Sequence, residues 1–175
     1  ESSVLVIPPA SSFDRIDVER FGLDPIKLVK NENEWFIEPG SDPVSKRVSE
    51  LIKSTFAKPI SSDYGLDLVS LNPRDFSVTE AATVITIKSN QQTLLRFRMG
   101  KALGGKQTFI RPLGEDRVFR MNGILRKLFD RQPIDWRERR VVGLQANDIR
   151  ALAASGHGFK AWRISRTSPD HDWNM

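Results

Sequence analysis

The hydrophobic pattern changes period several times along the chain, and each change marks an element. From Phe13 to Glu19 apolar residues alternate, with Ile16 and Val18 two apart, as in a half-buried strand. Gly22 and Asp24-Pro25 turn the chain into a second strand, Ile26 to Lys30. The polar turn Asn31-Glu32-Asn33 leads to a third, Trp35 to Ile37, and Pro39 stops it. The period then lengthens. Val44, Val48, Leu51, Ile52 and Phe56 share one face at helical spacing, and Lys46, Arg47, Glu50 and Lys53 take the other. Asp42 is the expected N-cap, Pro43 suits the first helical position, and Lys58-Pro59 ends the helix.

Residues 60–81 are rich in Ser, Asp and Pro and read as irregular. Alternation returns in four runs, Thr83 to Lys88, Thr93 to Met99, Gln107 to Pro112 and Arg117 to Met121, whose short spacing demands antiparallel hairpins. Leu95, Phe97 and Met99 share one face of the second run, and Arg96 and Arg98 the other. A short helix capped by Asn122 follows, with Ile124, Leu125, Leu128 and Phe129 inward. The expected fold is α+β: antiparallel meanders with one long and one short helix packed against them.

The expected organisation is an extended lead-in over residues 1–12, where Pro8-Pro9 and Ser11-Ser12 suit a linker, and a single domain over 13–142. Residues 143–175 read as the start of a second, truncated unit. There Asn147-Asp148-Ile149 leads a strand, Phe159 to Ile164 alternates as another, and Asp172-Trp173 repeats Glu34-Trp35.

Charge is unevenly placed. Residues 1–95 hold 10 Lys+Arg against 14 Asp+Glu, residues 96–140 hold 13 against 5, and residues 141–175 hold 4 against 3. The basic middle segment is mostly arginine, whose guanidinium fork matches carboxylates and phosphates. Either it offers a face to an acidic partner, or it lies against the acidic first half within one fold. The candidate binding face is Arg96, Arg98, Trp136, Arg137, Arg139 and Arg140, with Trp136 as the exposed aromatic. Trp35 and Trp162 lie in apolar strands and are expected in the core.

Several chemistries lose support. Without cysteine there are no disulfides, thiolate metal sites or thiol nucleophiles. Gly100-Lys101-Ala102-Leu103-Gly104-Gly105-Lys106-Gln107 approaches a phosphate-binding loop, but Gln107 stands where Ser or Thr would hold Mg²⁺ and a strand follows, so a hairpin turn is expected. His157 and Asp170-His171-Asp172 sit in polar turns. Asp63 and Asp67 flank Tyr64-Gly65-Leu66, which reads as a turn, and no carboxylate pair stands out. No catalytic residue, cofactor or metal is expected. The longest purely aliphatic run, Val4 to Ile7, is far short of the ~20 residues of a membrane span. The start at Glu1 rather than Met is expected of a segment excised from a longer protein.

The order of these features resembles the bacterial family of domain of unknown function 4340. The features are the Ile16/Val18 strand, the Lys30 to Trp35 hairpin ending at Pro39, the helix from Pro43 and Tyr64-Gly65-Leu66-Asp67. They continue with the Leu95 to Gly100 strand entering a glycine-rich turn, and with Asp135-Trp136-Arg137-Glu138-Arg139. The resemblance covers about residues 13 to 142. It departs from the family at Val69 to Ala82, an insertion-like stretch. The family has no established activity. What the resemblance implies is a membrane-anchored protein facing outward from the cytoplasm, often encoded beside gliding-type ABC transporter components. The resulting expectation is a non-enzymatic binding or scaffolding domain, periplasmic, with transporter subunits or other envelope proteins as partners. The alternative is an anion-binding module for acidic polysaccharide, lipid headgroups or nucleic acid, with nucleic acid the least favoured of these because the arginines lack aromatic interleaving.

Overall fold

The computed structural model describes residues 4–68, 71–123, 125–138 and 146–174, with the backbone alone at Tyr64, Ala146 and Phe159. It falls into two compact units, residues 1–138 and 139–175.

Unit 1 is built on one antiparallel sheet. The strands are β1 (Val6–Ile7), β2 (Arg15–Glu19), β3 (Ile26–Asn31), β4 (Glu34–Glu38), β5 (Asp42–Pro43), β6 (Ile60–Asp67), β7 (Thr83–Ser89), β8 (Gln92–Leu103), β9 (Gln107–Pro112) and β10 (Arg117–Asn122). Their order across the sheet is β1-β6-β10-β9-β8-β7-β2-β3-β4-β5. Two meanders, β2 to β5 and β7 to β10, therefore meet along the β2–β7 pairing. The helix α1 (Lys46–Thr55) carries the chain from the β5 edge across to β6, near the far edge. A second helix, α2 (Leu125–Phe129), packs beside α1.

Register puts the apolar positions on the helix side. Leu95, Ile87, Ile16, Leu28 and Ile37 form one row across five strands, and Phe97, Ile85, Val18 and Ile26 form the next. With Val48, Ile52 and Phe56 from the α1 region and Leu125, Leu128 and Phe129 from α2 they make one continuous core, with Leu95 at its margin. Aromatic rings thread it, Trp35 on Phe13, Phe13 on Phe56, Phe56 on Phe129 and Phe129 on Trp136.

Several local expectations change. Ser45, not Asp42, caps α1, its hydroxyl accepting the Val48 N–H. Asp42 and Pro43 instead pair with Ile37 and Phe36 as the sheet edge, where a missing proline N–H leaves no ladder bond unmade. Residues 60–67 are a strand rather than irregular chain. Its inward Ser62 is buried and accepts the Leu5 N–H, and Gly65 leaves room for the Phe119 ring, 2.9 Å from where a Cβ would stand. Val6–Ile7 joins that strand, so this part of the lead-in is sheet, with Ile7 fully buried. Asn122 ends β10 and does not cap α2, and Ile124 lies outside the described residues.

The insertion-like stretch has structure. Asn72 caps a 3-10 turn, Pro73–Phe76, by accepting the Arg74 N–H, and Ser77 closes it in the left-handed region at φ 58°. Val78 is buried in a small second cluster with Phe109 and Val118. The stretch approaches β8 so closely that a Cβ on Gly100 would stand 2.3 Å from the Phe76 carbonyl oxygen and 2.8 Å from Val78.

Unit 2 is a hairpin of β11 (Ala151–Gly156) and β12 (Phe159–Ser165), preceded by a 3-10 turn at Ala146–Asp148. Arg166 braces it, donating to the carbonyls of Ile149 and Pro169 with its guanidinium 4.6 Å from the centre of the Trp173 ring. The two-residue turn His157-Gly158 matches Glu32-Asn33 of β3–β4, which is the part of the internal similarity that the backbone shares. Trp173 follows β12, beside the Ser165–Asn174 bridge, and does not occupy the place Trp35 has inside β4.

Candidate functional site

The sheet face away from the helices carries charged side chains beside the small Val78, Phe109 and Val118 cluster, and β8 supplies much of the charge. Arg96 stands in register with Thr86, and Thr86 with Asp17. Arg96 reaches Glu19 at 3.3 Å, and Arg98 pairs with Glu80. Across the next pairing Arg98 faces Arg111, a repulsive juxtaposition on its own. Glu80 answers one of the two and Asp116, 3.0 Å from Arg111, answers the other. Further along the same strands Arg15 bridges Asp17 and Glu38, and Lys88 also binds Asp17.

The basic middle segment thus lies against the acidic first half. Arg96, Arg98, Arg120 and Arg137 pair with Glu19, Glu80, Asp63 and Asp42, all from residues 1–95. Most of these pairs are exposed and screened by water, so they add little to stability. Their consequence is electrostatic: Arg96, Arg98 and Arg137, which looked available for an acidic partner, already hold carboxylates.

The candidate face is not assembled as one surface. Arg96 and Arg98 lie on the polar side of β8, while Arg137 sits by Asp42 at the β5 edge, 3.0 Å away. Trp136 is wholly buried, at 0% exposure, on the helix side of the sheet. It ends the 3-10 turn Pro133–Trp136, its carbonyl accepts the Ser45 N–H, and Glu138 N–H reaches the Pro43 carbonyl. These bonds turn the indole inward despite its arginine neighbours. The expectation of an exposed stacking platform at Trp136 is therefore corrected. Arg139 and Arg140 lie outside the described residues. Trp35 is in the core as expected, but Trp162 is 48% exposed.

The polar cluster at Asp63 has no signature along the chain, where Asp63 reads as a turn residue. Its carboxylate accepts from Asn122 Nδ2 at 2.7 Å, Arg120 Nε at 2.9 Å and Gln107 Nε2 at 3.1 Å. Asp63 comes from β6, Gln107 from β9, and Arg120 and Asn122 from β10, so only sheet pairing brings the four together. Foremost the Asn122 bond, and with it the charge and hydrogen bond of Arg120 and the Gln107 amide, lower the Asp63 pKa below its ordinary value against an opposing desolvation. A carboxylate so fully engaged is locked as an acceptor, which suits a cross-strand tie better than proton transfer.

The stretch that approaches a phosphate loop is a hairpin, as expected. β8 continues to Leu103, the chain turns at Gly104 and Gly105 with φ of 59° and 72°, and β9 follows. Ser168 Oγ bonds His171 Nδ1 across an exposed turn in unit 2. Among the described residues no three His, Cys, Asp or Glu side chains gather as a metal site would require, and no helix is long and apolar enough to cross a membrane.

Unit 2 presents a different surface. Leu152 pairs with Ile164 and Ala154 with Trp162, which places all four on one side of the hairpin. Leu152 is 42% exposed and Ala151 through Gly156 carry no charge.

The class is now plain: an α+β protein with a long antiparallel sheet over two helices, followed by a hairpin. The model of the family "Domain of unknown function (DUF4340)" matches residues 41–174, and the chain belongs to that family. The match starts at the edge strand β5 and takes in the whole hairpin, so it extends further toward the C-terminus than the motifs alone and leaves out β1 to β4. No curated protein and no solved structure matches the chain.

Proposed function

We propose that this protein is a non-enzymatic binding and scaffolding domain of a bacterial cell-envelope protein, working outside the cytoplasm as an accessory to an ABC-type transport system. The location and the transport association rest on the family resemblance. The observation that carries the choice over an arginine-based anion face is the pairing of Arg96, Arg98, Arg120 and Arg137 with acids of the same sheet domain. A cation whose partner is built in gains little from an external anion, because the incoming group must first displace a carboxylate.

The partner in this reading is a protein. In this reading the contact lies on the apolar side of the hairpin, where Leu152 and Trp162 are half exposed on strands that no helix among the described residues of unit 2 covers. The test is photo-crosslinking in cells from the full-length protein, with the probe at position 162 or at position 96. Capture of transporter subunits from position 162 and not from 96 is expected. Capture of polysaccharide, lipid or nucleic acid alone, or of transporter subunits only from 96, would overturn the reading.

A further inference from the structure

The insertion-like stretch does more than lengthen a loop. Between it, the Thr83/Met99 end of the β7–β8 pair and α2 lies an open cavity of about 560 Å³. That size suits a small molecule. Its floor is Met99, which is itself buried. Arg74 and Arg126 supply charge, Ser77, Thr79 and Thr83 supply hydroxyls, and among the described residues no carboxylate lines it.

The two arginines differ in a useful way. Arg126 is held in place, Nη1 donating to the Gly100 carbonyl at 3.0 Å and Nη2 to Asp130 at 2.8 Å. A guanidinium has five N–H donors, so this leaves others to offer. Arg74 is exposed, and its side chain has no hydrogen bond or ion pair among the described residues. In that it stands apart from the other described arginines between positions 74 and 137, each of which has a side-chain partner. The three hydroxyls are likewise without side-chain partners among the described residues. Glu80, the nearest acid in the stretch's second half, is engaged by Arg98 on the sheet.

The wall carrying Arg74 is fixed. Asn72 caps its turn, Val78 anchors it in the second cluster, and Gly100 lets its backbone rest on β8. Asp130 answers the charge of Arg126, which offers its remaining N–H donors, while Arg74 brings an unanswered positive charge; with three hydroxyls around Met99 they form a donor-rich site with one net positive charge. We infer that this cavity binds a small organic oxyanion, its phosphate or carboxylate group seated between Arg74 and Arg126 and its remainder over Met99. Bidentate, charge-assisted bonds are what a guanidinium gives to such groups. The inference concerns unit 1 alone and stands apart from the protein partner proposed for the hairpin.

The test is a titration of the 175-residue protein, followed by amide and arginine side-chain NMR, with inorganic phosphate in one arm and succinate in the other. Signals of residues 74–83 and Arg126 are expected to shift together and saturably. The arm with the tighter binding tells phosphate from carboxylate chemistry. Arg74→Ala, at an exposed position without partners, should fold normally and weaken binding about 10-fold or more, and Thr83→Val a few-fold. Shifts centred on Arg96 and Arg98, unsaturable shifts spread over the surface, no shift with either anion at millimolar concentration, or undiminished binding in Arg74→Ala would each overturn the inference.

Discussion

The two units use the same hairpin design and end in opposite conditions. In unit 1, β3 and β4 meet across a two-residue turn, and Trp35 on the second strand is 2% exposed, in one core with Val48 and Ile52 of α1 and against the Phe13 ring. In unit 2, β11 and β12 meet across a two-residue turn, and Trp162 on the second strand is 48% exposed. The strands are comparable. The difference is the layer on top: α1 and α2 cover one face of the long sheet, and the described part of unit 2 has no helix to match them beyond the 3-10 turn at Ala146–Asp148. A two-stranded sheet alone is marginal in water. Pairing makes the strands, but only burial by a second layer makes a tryptophan structural.

The sharpest way to break this contrast is to remove the two indoles in turn. Trp136→Ala should destabilise unit 1 by about 3–5 kcal/mol in chemical denaturation, since it empties a fully buried site against Phe129. Trp162→Ala should change the same transition by no more than about 0.5 kcal/mol. Equal effects would mean that the hairpin shares the core's cooperativity. Next in size is Gly100→Ala. The added methyl has no room between Phe76, Val78 and the β9 backbone, so a loss of about 1–3 kcal/mol is expected, with the 72–82 stretch lifted from the sheet. Unchanged stability would show that the stretch is not packed there.

Asp63 sharpens the comparison by pH. Its carboxyl titrates below the usual 3.8 in the folded protein, held ionised by Asn122 first and Arg120 after it. As pH falls, the unfolded chain takes up this proton first. The stabilisation is therefore complete above about pH 4 and is lost as pH falls through the folded value. Asp63→Asn should flatten the stability profile below about pH 4 relative to the native protein, as followed by denaturation at stepped pH. A profile as steep as the native one would remove Asp63 from the account. The smallest effect is expected at Arg96→Ala. Its pair with Glu19 is exposed on both sides, so the change should be below about 1 kcal/mol and shrink in salt.

Much of unit 1 was legible in the sequence because its strands are short, alternating and hairpin-linked. Ile85/Ile87 and Phe97/Met99 declare their inward face directly. β6 was hidden because its inward positions include Ser62 and its Gly65 was vacated for Phe119, so period two carries no hydrophobic signal there. The α1 cap was misplaced because Asp42-Pro43 satisfies the same local rule as Ser45, and the choice between them is made by pairing with β4. Trp136 was misplaced because neighbouring arginines describe the surface only if the chain runs straight, and here a 3-10 turn reverses it. The uneven charge did point to the pairing of arginines with the acidic half. Which acid meets which arginine depends on contacts such as Arg96 with Glu19, 77 residues apart, and no local rule reaches that far. The Arg74 cavity lay in a stretch that read as an irregular interruption, since its donors converge only after Val78 is buried and Gly100 admits the backbone.

Unit 1 carries its own core, and the described residues of the hairpin unit form none. Amide hydrogen exchange of the 175-residue protein, resolved by peptide, tests this most directly. Amides of β7 to β9 should open only with global unfolding, and those of β11 and β12 should exchange orders of magnitude faster through local opening. Hairpin protection equal to that of β8 would contradict the account, because the hairpin would then already have its covering layer.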